Sequence, residues 1–496
     1  MKRTYESLRE NHEVFHYRSF QTRVAKDKLV FQFVFEVGPD IQFRPQVEVL
    51  GIDRKRVDSI RKEVLDNLCF NLGMMEIPSY WKATCSPEIV VECGYLDEYQ
   101  LSWWKELFIN GLGEFFYVNK IDFTSPDFMD LRCTNTDESF FGRYEDELDN
   151  GKILVPISGG KDSAVTYEIL RIANKRIHGW FLSPTRAALD TIRIGQKSDS
   201  HAYSDELIRR QNISTETLPR DDDDGAGIVV RRTIDKTLLD LNRKGYMNGH
   251  TPFSAYLGFL SVACAVLFNY RRIAFSDERS SNEGNVNYRG RDINHQYSKS
   301  FEYEKKFREY APRYLARDVE YFSFLRPLYE LQISRLFSQH KKYFGAFRSC
   351  NRGQKNNLWC HKCPKCLFIY VSLYPFVDDR DLTTQIFSSN LFEDEDLIEV
   401  ALQLLGLGEA KPFECVGSWE ETKVAFYLSI KKTLSAGKEL PVVLKTVQEL
   451  VLANEIDMDD RAEAILNAWN SEHALPGDLE EVLRASCWQE TRECAS

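Results

Sequence analysis

The chain lacks the long apolar runs of membrane proteins and the basic excess of nucleic-acid-binding proteins. None of its apolar runs reaches membrane-spanning length, and the first ten residues, Met1 to Glu10, contain no apolar signal core. Asp and Glu outnumber Lys and Arg by 75 to 64, so the net charge is −11, whereas proteins that bind RNA or DNA usually carry a basic face. We therefore expect a cytoplasmic protein that has neither a membrane nor a nucleic acid as its partner.

Internal repeats and low-complexity linkers are lacking as well, and disulfides are not expected. In a reducing compartment the 12 cysteines stay thiols, so a cluster of them indicates metal binding or catalysis. The length of 496 residues and the hydrophobic content of 43% are sufficient for two or three domains.

The middle of the chain has the alternating pattern of a parallel α/β sheet. Lys152 to Ile157 is a short apolar run that predicts a strand, and Ala164 to Asn174 has the spacing of a helix. Further strands are predicted at Ile177 to Leu182 and Arg272 to Ser276, with a helix at Phe253 to Asn269 before the second of them. This alternation favours a doubly wound parallel sheet over residues 141–385.

Mixed and helical patterns flank this central domain. Leu29 to Glu36 predicts a strand and Arg54 to Leu68 a helix, so residues 1–140 are predicted to form a mixed α/β domain, with substrate binding as its expected role. Residues 386–496 have helical spacing and are predicted to form a C-terminal helical subdomain. The acidic run Asp221 to Asp224 fits either a solvated loop or a magnesium site.

A glycine-rich turn joins the predicted strand at Lys152 to the helix that follows it. We call this turn the phosphate loop, and it consists of Ser158, Gly159, Gly160, Lys161, Asp162 and Ser163. Amide groups at a helix N-terminus, with the helix dipole behind them, favour an anion, and glycines let the backbone approach a phosphate closely. Lys161 adds a positive charge if it points inward, and Asp162 is a candidate ligand of Mg²⁺. We therefore expect ATP to bind here together with Mg²⁺.

The spacing of the phosphate loop differs from that of a Walker A loop, which has four residues between its first glycine and Gly-Lys. It resembles the PP-loop of the ATP pyrophosphatase superfamily. That resemblance implies that the loop holds the β and γ phosphates as a leaving pyrophosphate while the α phosphorus is attacked.

Four cysteines form a second motif, which we call the cysteine knuckle. Cys350, Cys360, Cys363 and Cys366 have the spacing C-x9-C-x2-C-x2-C, in which four thiolates can close a tetrahedral zinc site. We predict a structural zinc ion at this site. Incidental buried thiols and redox catalysis by Cys360 and Cys363 are the alternatives.

Two further segments contain candidate substrate-binding residues. The segment Asp277 to Gly284 follows a predicted strand, and ligands of open α/β sheets bind at the carboxyl ends of strands. Basic residues follow it, and arginine side chains match the geometry of carboxylates and phosphates. We predict substrate contacts from Arg279, Asn282, Glu283, Arg289, Arg291 and Lys299, with an ordinary solvated loop as the alternative.

Several strings together indicate a narrower family. SGGKDS, NGHTPF, SDERSSNEGN, NHQYSKSFEYE and WCHKCPKC resemble the ATP-dependent UDP-N-acetylmuramoyl-L-alanyl-L-glutamate epimerase family (MurL), as do SYWKATCSPEIVV, GLGEFFY and PFECVG. The resemblance covers about residues 25–420. It implies an isomerase of peptidoglycan precursor synthesis that inverts the terminal L-glutamate of UDP-MurNAc-L-Ala-L-Glu and releases AMP and pyrophosphate. It also implies a companion ligase that adds the L-glutamate first.

The implied reaction is consistent with elementary chemistry. Removal of a Cα proton beside a free carboxylate is costly, because it creates adjacent negative charges, whereas adenylation cancels the carboxylate charge and makes the carbonyl an electron sink. A side-chain base can then remove the proton, and reprotonation from the other face inverts the centre. The candidate bases are His250, Cys85 and His295.

Two other functions fit the phosphate loop. The first is a PP-loop enzyme that modifies or thiolates RNA, or another adenylating enzyme. An enzyme that acts on RNA needs a basic face, which the net charge of −11 does not favour. A nucleotide-sensing module is the second, and it would bind ATP without releasing pyrophosphate.

Overall fold

The computed structural model describes residues 3–38, 40–137, 142–196 and 227–488. The acidic run Asp221 to Asp224, with its two interpretations, lies outside the described residues. Within the described ranges, no helix has both the length and the apolar character that crossing a membrane requires.

Strands occur throughout the first two thirds of the chain. In the described ranges they are β1 (Val14–Ala25), β2 (Lys28–Val37), β3 (Ile41–Phe43), β4 (Gln46–Leu50), β5 (Glu88–Val91), β6 (Asp130–Cys133), β7 (Lys152–Pro156), β8 (Arg176–Leu182), β9 (Ile228–Thr233), β10 (Arg272–Phe275), β11 (Val286–Tyr288), β12 (Arg291–Ile293) and β13 (Glu320–Ser323).

Helices alternate with these strands and then continue alone to the end of the described chain. The α-helices are α1 (Tyr5–Asn11), α2 (Arg54–Ser59), α3 (Lys62–Trp81), α4 (Glu98–Gly111), α5 (Gly113–Val118), α6 (Lys161–Ile172), α7 (Arg186–Gln196), α8 (Lys236–Arg243), α9 (Phe253–Phe268), α10 (Phe301–Tyr314), α11 (Glu330–Ser338), α12 (Pro364–Leu373), α13 (Asp379–Asp381), α14 (Ile398–Leu404), α15 (Trp419–Ser435), α16 (Val442–Leu450), α17 (Met458–Leu466) and α18 (Gly477–Trp488). Short 3₁₀ helices at Arg279–Asn282 and Tyr297–Lys299 contain predicted site residues.

The chain divides into two compact units. The first unit comprises Met1–Leu154, Ile228–Ile273 and Asn287–Tyr321, and the second comprises Val155–Gly227, Ala274–Val286 and Phe322–Ser496. The chain passes from the first unit to the second within β7, β10 and β13. The division into three domains with boundaries near residues 140 and 385 stays a prediction.

The first unit contains a mixed sheet covered by a long apolar helix. Its strand order is β9-β4-β2-β1-β5-β6, with antiparallel pairing from β9 to β1 and parallel pairing from β1 to β6. Alternate residues of β2 are fully buried, as expected for a strand with one face in the core. Helix α3 packs on β1 and β2, and α9 packs on α3.

The second unit combines parallel strands with a helical C-terminal region. The last residues of β7, β10 and β13 and the whole of β8 belong to it, in the strand order β13-β10-β7-β8, and α6 and α7 follow β7 and β8. Strands β10 and β7 pair in parallel through their first residues, Arg272 with Ile153 and Ile273 with Leu154, which belong to the first unit. Helix α11 packs on α6, and α12 packs on α15. The α/β class, the parallel strands and the helical C-terminal region are therefore confirmed.

The predicted helix from Arg54 to Leu68 is wrong in its bounds, because the chain breaks there into two helices. Ile60 has an extended backbone, with φ −85° and ψ 126°, and its amide donates to the carbonyl of Val57. Helix α2 therefore ends at Ser59, and α3 begins at Lys62 and continues to Trp81.

A buried ion pair joins α3 to β9 within the first unit. The guanidinium group of Arg232 donates to both carboxylate oxygens of Glu76 at 2.7 and 2.5 Å, and Glu76 is 0% exposed. Removing one member of such a pair leaves an uncompensated buried charge, which costs about 3–5 kcal/mol. We expect Glu76→Ala to lower the free energy of unfolding by about 3–5 kcal/mol. Urea unfolding followed by circular dichroism would show this loss as a lower midpoint of the cooperative transition.

Glu48 provides the matched control, because its ion pair with Lys28 is partly exposed. Such a pair contributes about 0–1 kcal/mol, so Glu48→Ala should leave the midpoint nearly unchanged. Equal shifts in the two variants would contradict the structural role of the Arg232–Glu76 pair.

Candidate active site

The phosphate loop lies in the second unit, between the end of β7 and the start of α6. Gly159 has φ +86°, and a Cβ atom there would lie 2.5 Å from the amide nitrogen of Ala188. Only glycine fits this turn without strain, because both its backbone conformation and its close neighbours exclude a side chain. Gly160 is the N-cap residue of α6 and makes no side-chain capping hydrogen bond. The helix N-terminus therefore presents backbone amides at the loop, as an anion site requires.

Lys161 is fully buried and points to carboxylates of its own unit. Its ammonium group forms ion pairs with Glu330, at the start of α11, and with Asp162. Although burial alone would lower the pKa of Lys161, the charges of Asp162 and Glu330 raise it. The positive charge is thus compensated inside the protein, while the Asp162 side chain stays 25% exposed. Glu330 is buried, so Asp162 is the carboxylate of this pair that a bound cation can reach.

The segment from Asp277 to Gly284 is anchored in the same unit by buried polar groups. The guanidinium group of Arg326, which is 0% exposed, donates to the carbonyl of Glu278 at 2.6 Å and to Ser281 Oγ at 2.9 Å. Ser280 donates to Glu421, which is also fully buried. The segment therefore has a fixed backbone at the carboxyl end of β10.

The six predicted substrate-binding residues are divided between the units. In the second unit, Arg279 lies 4.4 Å from the centre of the Tyr329 ring, Asn282 is exposed, and Glu283 accepts a hydrogen bond from Lys411 at 2.9 Å. In the first unit, Arg289 forms an ion pair with Asp122 at 2.9 Å, Arg291 is exposed, and Lys299 lies in the 3₁₀ helix Tyr297–Lys299.

The cysteine knuckle brings its four sulfur atoms together in the second unit. All four Sγ atoms lie within 4.8 Å of one another, and the Sγ atoms of Cys363 and Cys366 are 3.5 Å apart. The backbone amides of Gly353 and Cys360 donate to Cys350 Sγ at 3.1 and 3.3 Å. Four convergent thiols with amide donors are a donor set that suits Zn²⁺.

Two predicted bases meet in the first unit around a carboxylate that the sequence interpretation missed. Glu114 Oε2 lies 2.5 Å from His295 Nδ1 and 3.2 Å from His250 Nδ1, and the two imidazole centroids are 4.4 Å apart. We call Glu114, His250 and His295 the histidine cluster. All three side chains are mostly buried, with 14–19% exposure. Glu114 belongs to α5, and His250 lies just before α9.

Close packing fixes the loop that contains His250. A Cβ atom at Gly111, the last residue of α4, would lie 2.6 Å from Pro252 Cβ, so the helix end approaches this loop as only a glycine allows. Burial first, then His295 and Lys82, hold the pKa of His250 well below its usual range. The His250 imidazole is therefore neutral at neutral pH, as a proton acceptor must be.

The histidine cluster has donor atoms that a metal can use, but its distances fit hydrogen bonds. Metal bonds of about 2.0–2.2 Å hold neighbouring ligand atoms about 3 Å apart or more. The contact of 2.5 Å between Glu114 Oε2 and His295 Nδ1 is shorter than that separation. The carboxylate therefore orients the His295 imidazole through Nδ1, which makes Nε2 its proton-accepting atom, and the His250 imidazole has its Nδ1 near the same oxygen.

Cys85 and Lys82 lie at the end of α3 in the same unit. The Cys85 thiol is fully buried, 3.8 Å from the sulfur of Met247, and burial raises its pKa. A thiolate base is thus disfavoured at Cys85. Lys82 is 7% exposed, and its ammonium group donates to the carbonyl of Gly249, directly before His250.

The sequence interpretation missed Lys82, Glu114 and Glu330. Lys82 and Glu114 stand in SYWKATCSPEIVV and GLGEFFY, two of the strings that indicate the family, and each is a charged residue among apolar ones. That contrast is a signal that could have identified them, because charged residues in apolar segments are often functional. For Glu330 the sequence contains no comparable signal.

Comparison with known proteins shows one family over most of the chain. The MurL N-terminal domain matches residues 6–199 and 217–324, and the MurL C-terminal domain matches residues 346–461. A relative from Micromonospora sp. is 31% identical over 440 residues, which cover 87% of this chain and 89% of the relative. A relative from Xanthomonas oryzae pv. oryzae is 31% identical over 414 residues, which cover 82% and 83%.

A third relative, from Salinispora tropica, is 30% identical over 436 residues, which cover 87% of each chain. All three relatives are named UDP-N-acetyl-alpha-D-muramoyl-L-alanyl-L-glutamate epimerase. No solved structure matches the chain. The two domain matches and the near full-length relatives place the chain in the MurL family.

Proposed function

We propose that the protein epimerises the terminal L-glutamate of UDP-MurNAc-L-Ala-L-Glu to D-glutamate, driven by cleavage of ATP to AMP and pyrophosphate. The observation that carries this proposal is the similarity to relatives named as epimerases of this substrate over 82–87% of the chain. The two chemical steps that the reaction needs have candidate residues in the chain. These are the phosphate loop for adenylation and the histidine cluster for proton removal.

The phosphate loop would hold the pyrophosphate part of ATP. Its amides and its serine hydroxyls are donors for phosphate oxygens, in the manner of the PP-loop superfamily. Lys161 is compensated by Glu330 and Asp162, so Mg²⁺ would supply the charge that balances the phosphates, with Asp162 as its protein ligand. We assign the second unit to the PP-loop type on this basis.

The residues predicted for substrate binding would then hold the anionic parts of the substrate. Arg279, Arg289, Arg291 and Lys299 are cations suited to the diphosphate and the carboxylates of a UDP-muramoyl dipeptide. Asn282 and Glu283 contribute hydrogen-bonding groups beside Arg279.

Adenylation prepares the glutamate for proton removal. The carboxylate of the substrate attacks the α phosphorus of ATP, and the acyl adenylate that forms has no carboxylate charge beside Cα. The neutral imidazole of the histidine cluster then accepts the α proton at Nε2, with Glu114 stabilising the imidazolium that results. Hydrolysis of the adenylate after reprotonation makes the conversion irreversible.

The pathway follows from the substrate. The reaction would belong to cytoplasmic peptidoglycan synthesis, after a ligase that adds L-glutamate to UDP-MurNAc-L-Ala.

The cysteine knuckle would hold a structural zinc ion that supports the second unit.

The phosphate loop can be tested without the second step. We expect Asp162→Ala to slow pyrophosphate release by about 100-fold, because loss of a metal ligand removes roughly 3 kcal/mol of transition-state stabilisation. Ser163→Ala should also lower the rate, and both should be measured with a coupled pyrophosphate assay. Asp459→Ala is the control, because this carboxylate is 67% exposed and pairs with Lys431 at the surface. Wild-type release from the Asp162 variant would contradict the assignment.

The epimerisation step predicts isotope incorporation from solvent. In heavy water, with ATP and the UDP-muramoyl dipeptide, the glutamate Cα should gain deuterium as D-glutamate forms. His250→Gln and His295→Gln should still release pyrophosphate but should lower deuterium incorporation roughly 100-fold or more, because a general base is lost. Mass spectrometry and chiral analysis of glutamate measure both results.

His16→Gln is the matched control for the histidine variants. His16 Nδ1 forms the same kind of contact, 2.7 Å from Glu92 Oε1, but His16 is not part of the histidine cluster. It should keep both pyrophosphate release and labelling. A wild-type enzyme that consumes ATP and leaves Cα unlabelled would exclude the epimerase mechanism and leave an adenylating enzyme of another kind.

The cysteine knuckle predicts a metal content that can be measured. Freshly purified protein should contain about one zinc ion per chain. Cys363→Ser should lose the metal and lower the thermal stability, whereas Cys93→Ser, in the first unit, should keep both. A zinc-free protein with unchanged stability and activity would show that the four thiols hold no structural ion.

A further inference from the structure

Lys82 is a buried cation beside the histidine cluster. It lies at the C-terminal end of α3, is 7% exposed, and its ammonium group donates to the carbonyl of Gly249. In the part of the chain that the structure describes, no carboxylate lies within ion-pair distance of this ammonium group. Buried lysines without such a partner are costly, so this position calls for a functional explanation.

The surroundings of Lys82 make its proton labile. Burial first, and then the charge of Arg232, lower the pKa of Lys82 to about 8, while Glu114 acts in the opposite direction. An amine with a pKa in this range can give and regain a proton near neutral pH, which an ordinary surface lysine does poorly.

Inversion at Cα needs a second acid–base group on the face opposite to the first. Both imidazoles of the histidine cluster present Nδ1 to the same oxygen of Glu114, and their centroids are 4.4 Å apart. Two groups on opposite faces of one carbon, each about 3–3.5 Å from it, are separated by about 6–7 Å. Both rings thus lie side by side against one carboxylate oxygen, and we assign them to one face of Cα, so the other face needs a different donor.

The neighbours of Lys82 do not fit that role. Arg232 is held by both oxygens of Glu76, and an arginine does not give up a proton in proteins. Cys85 is fully buried, with its thiol directed to the carbonyl of Lys82 and to Met247. Lys82 combines a transferable proton with a position beside His250.

We propose that Lys82 is the general acid that delivers a proton to Cα on the face opposite to the histidine cluster. This inference rests on the proposed epimerase function and makes the mechanism a two-base mechanism. It assigns the proton-donating role to a residue outside the three bases that the sequence suggested.

The proton transfers balance without any further reactant. In the first step, the Cα–H electron pair moves into the adenylate carbonyl, an enolate forms, and an imidazole Nε2 takes the proton. In the second step, the carbonyl reforms and Cα takes a proton from the Lys82 ammonium group, which becomes a neutral amine. After water has cleaved the adenylate, the imidazolium loses its proton to solvent and the amine regains one.

The decisive experiment separates exchange from inversion. Lys82→Met would be incubated in heavy water with ATP, Mg²⁺ and the UDP-muramoyl dipeptide. We expect pyrophosphate release to continue and the recovered L-glutamate to gain deuterium at Cα, because the histidine cluster still removes and returns a proton on its own face. Formation of D-glutamate should fall by roughly 100-fold or more, because the second acid–base group is lost.

A second variant and a control complete the test. Lys82→Arg keeps the positive charge and the donor to Gly249 but cannot transfer a proton. This variant should also exchange the Cα proton for deuterium without forming D-glutamate. It provides the test if Lys82→Met does not fold. Lys105→Met is the matched control, because Lys105 likewise donates to a backbone carbonyl, that of Pro126 at 3.1 Å. It should epimerise at the wild-type rate.

Three outcomes would overturn the assignment. D-glutamate formed at the wild-type rate by Lys82→Arg would show that only the charge matters. Loss of deuterium exchange together with inversion, with pyrophosphate release intact, would make Lys82 the first base instead of the returning acid. Wild-type inversion by Lys82→Met would remove it from the mechanism. Failure of the proposed function is distinguishable, because the wild-type enzyme itself would then leave Cα unlabelled.

Discussion

The buried ion pair between Lys161 and Glu330 is the interaction on which the second unit depends. It ties the phosphate loop at the start of α6 to the start of α11, and Lys365 extends it with its ammonium group 3.8 Å from the second oxygen of Glu330. Because Lys365 lies between Cys363 and Cys366, the loop and the cysteine knuckle share one buried carboxylate. The lysine of the loop is thus used to hold the fold, and in the proposed function anion binding would fall to the backbone amides and to a metal on Asp162.

The same constraint, that a buried charge needs compensation, separates two cations of the first unit. Arg232 is compensated by Glu76 with two short hydrogen bonds, so its charge is fixed and serves packing between α3 and β9. Lys82, the C-cap residue directly after the same helix, has only a backbone carbonyl as its partner in the described structure. Its charged form is therefore less stable, and its proton is available for chemistry.

One carboxylate lies against two imidazoles in the histidine cluster, and the proposed stereochemistry of the reaction rests on this arrangement. Glu114 holds His250 and His295 on a common side, which favours removal of a proton from one face of a bound carbon. Such an arrangement suits a reaction that removes a proton from one face of a carbon and returns a proton to the other face. The returned proton must then come from a group outside the histidine cluster.

The strand, turn and helix around the phosphate loop, the spacing of the four cysteines and the family could all be predicted from the sequence, since these depend on residues that are close along the chain. The three-dimensional fold was needed to show that Lys161 points to Glu330, that α2 and α3 are separate helices, and that Glu114 lies against both histidines. The physical reason is that burial and ion pairing arise between residues distant in sequence. A lysine such as Lys82 has no local pattern that distinguishes it from a solvated one until the fold removes it from water.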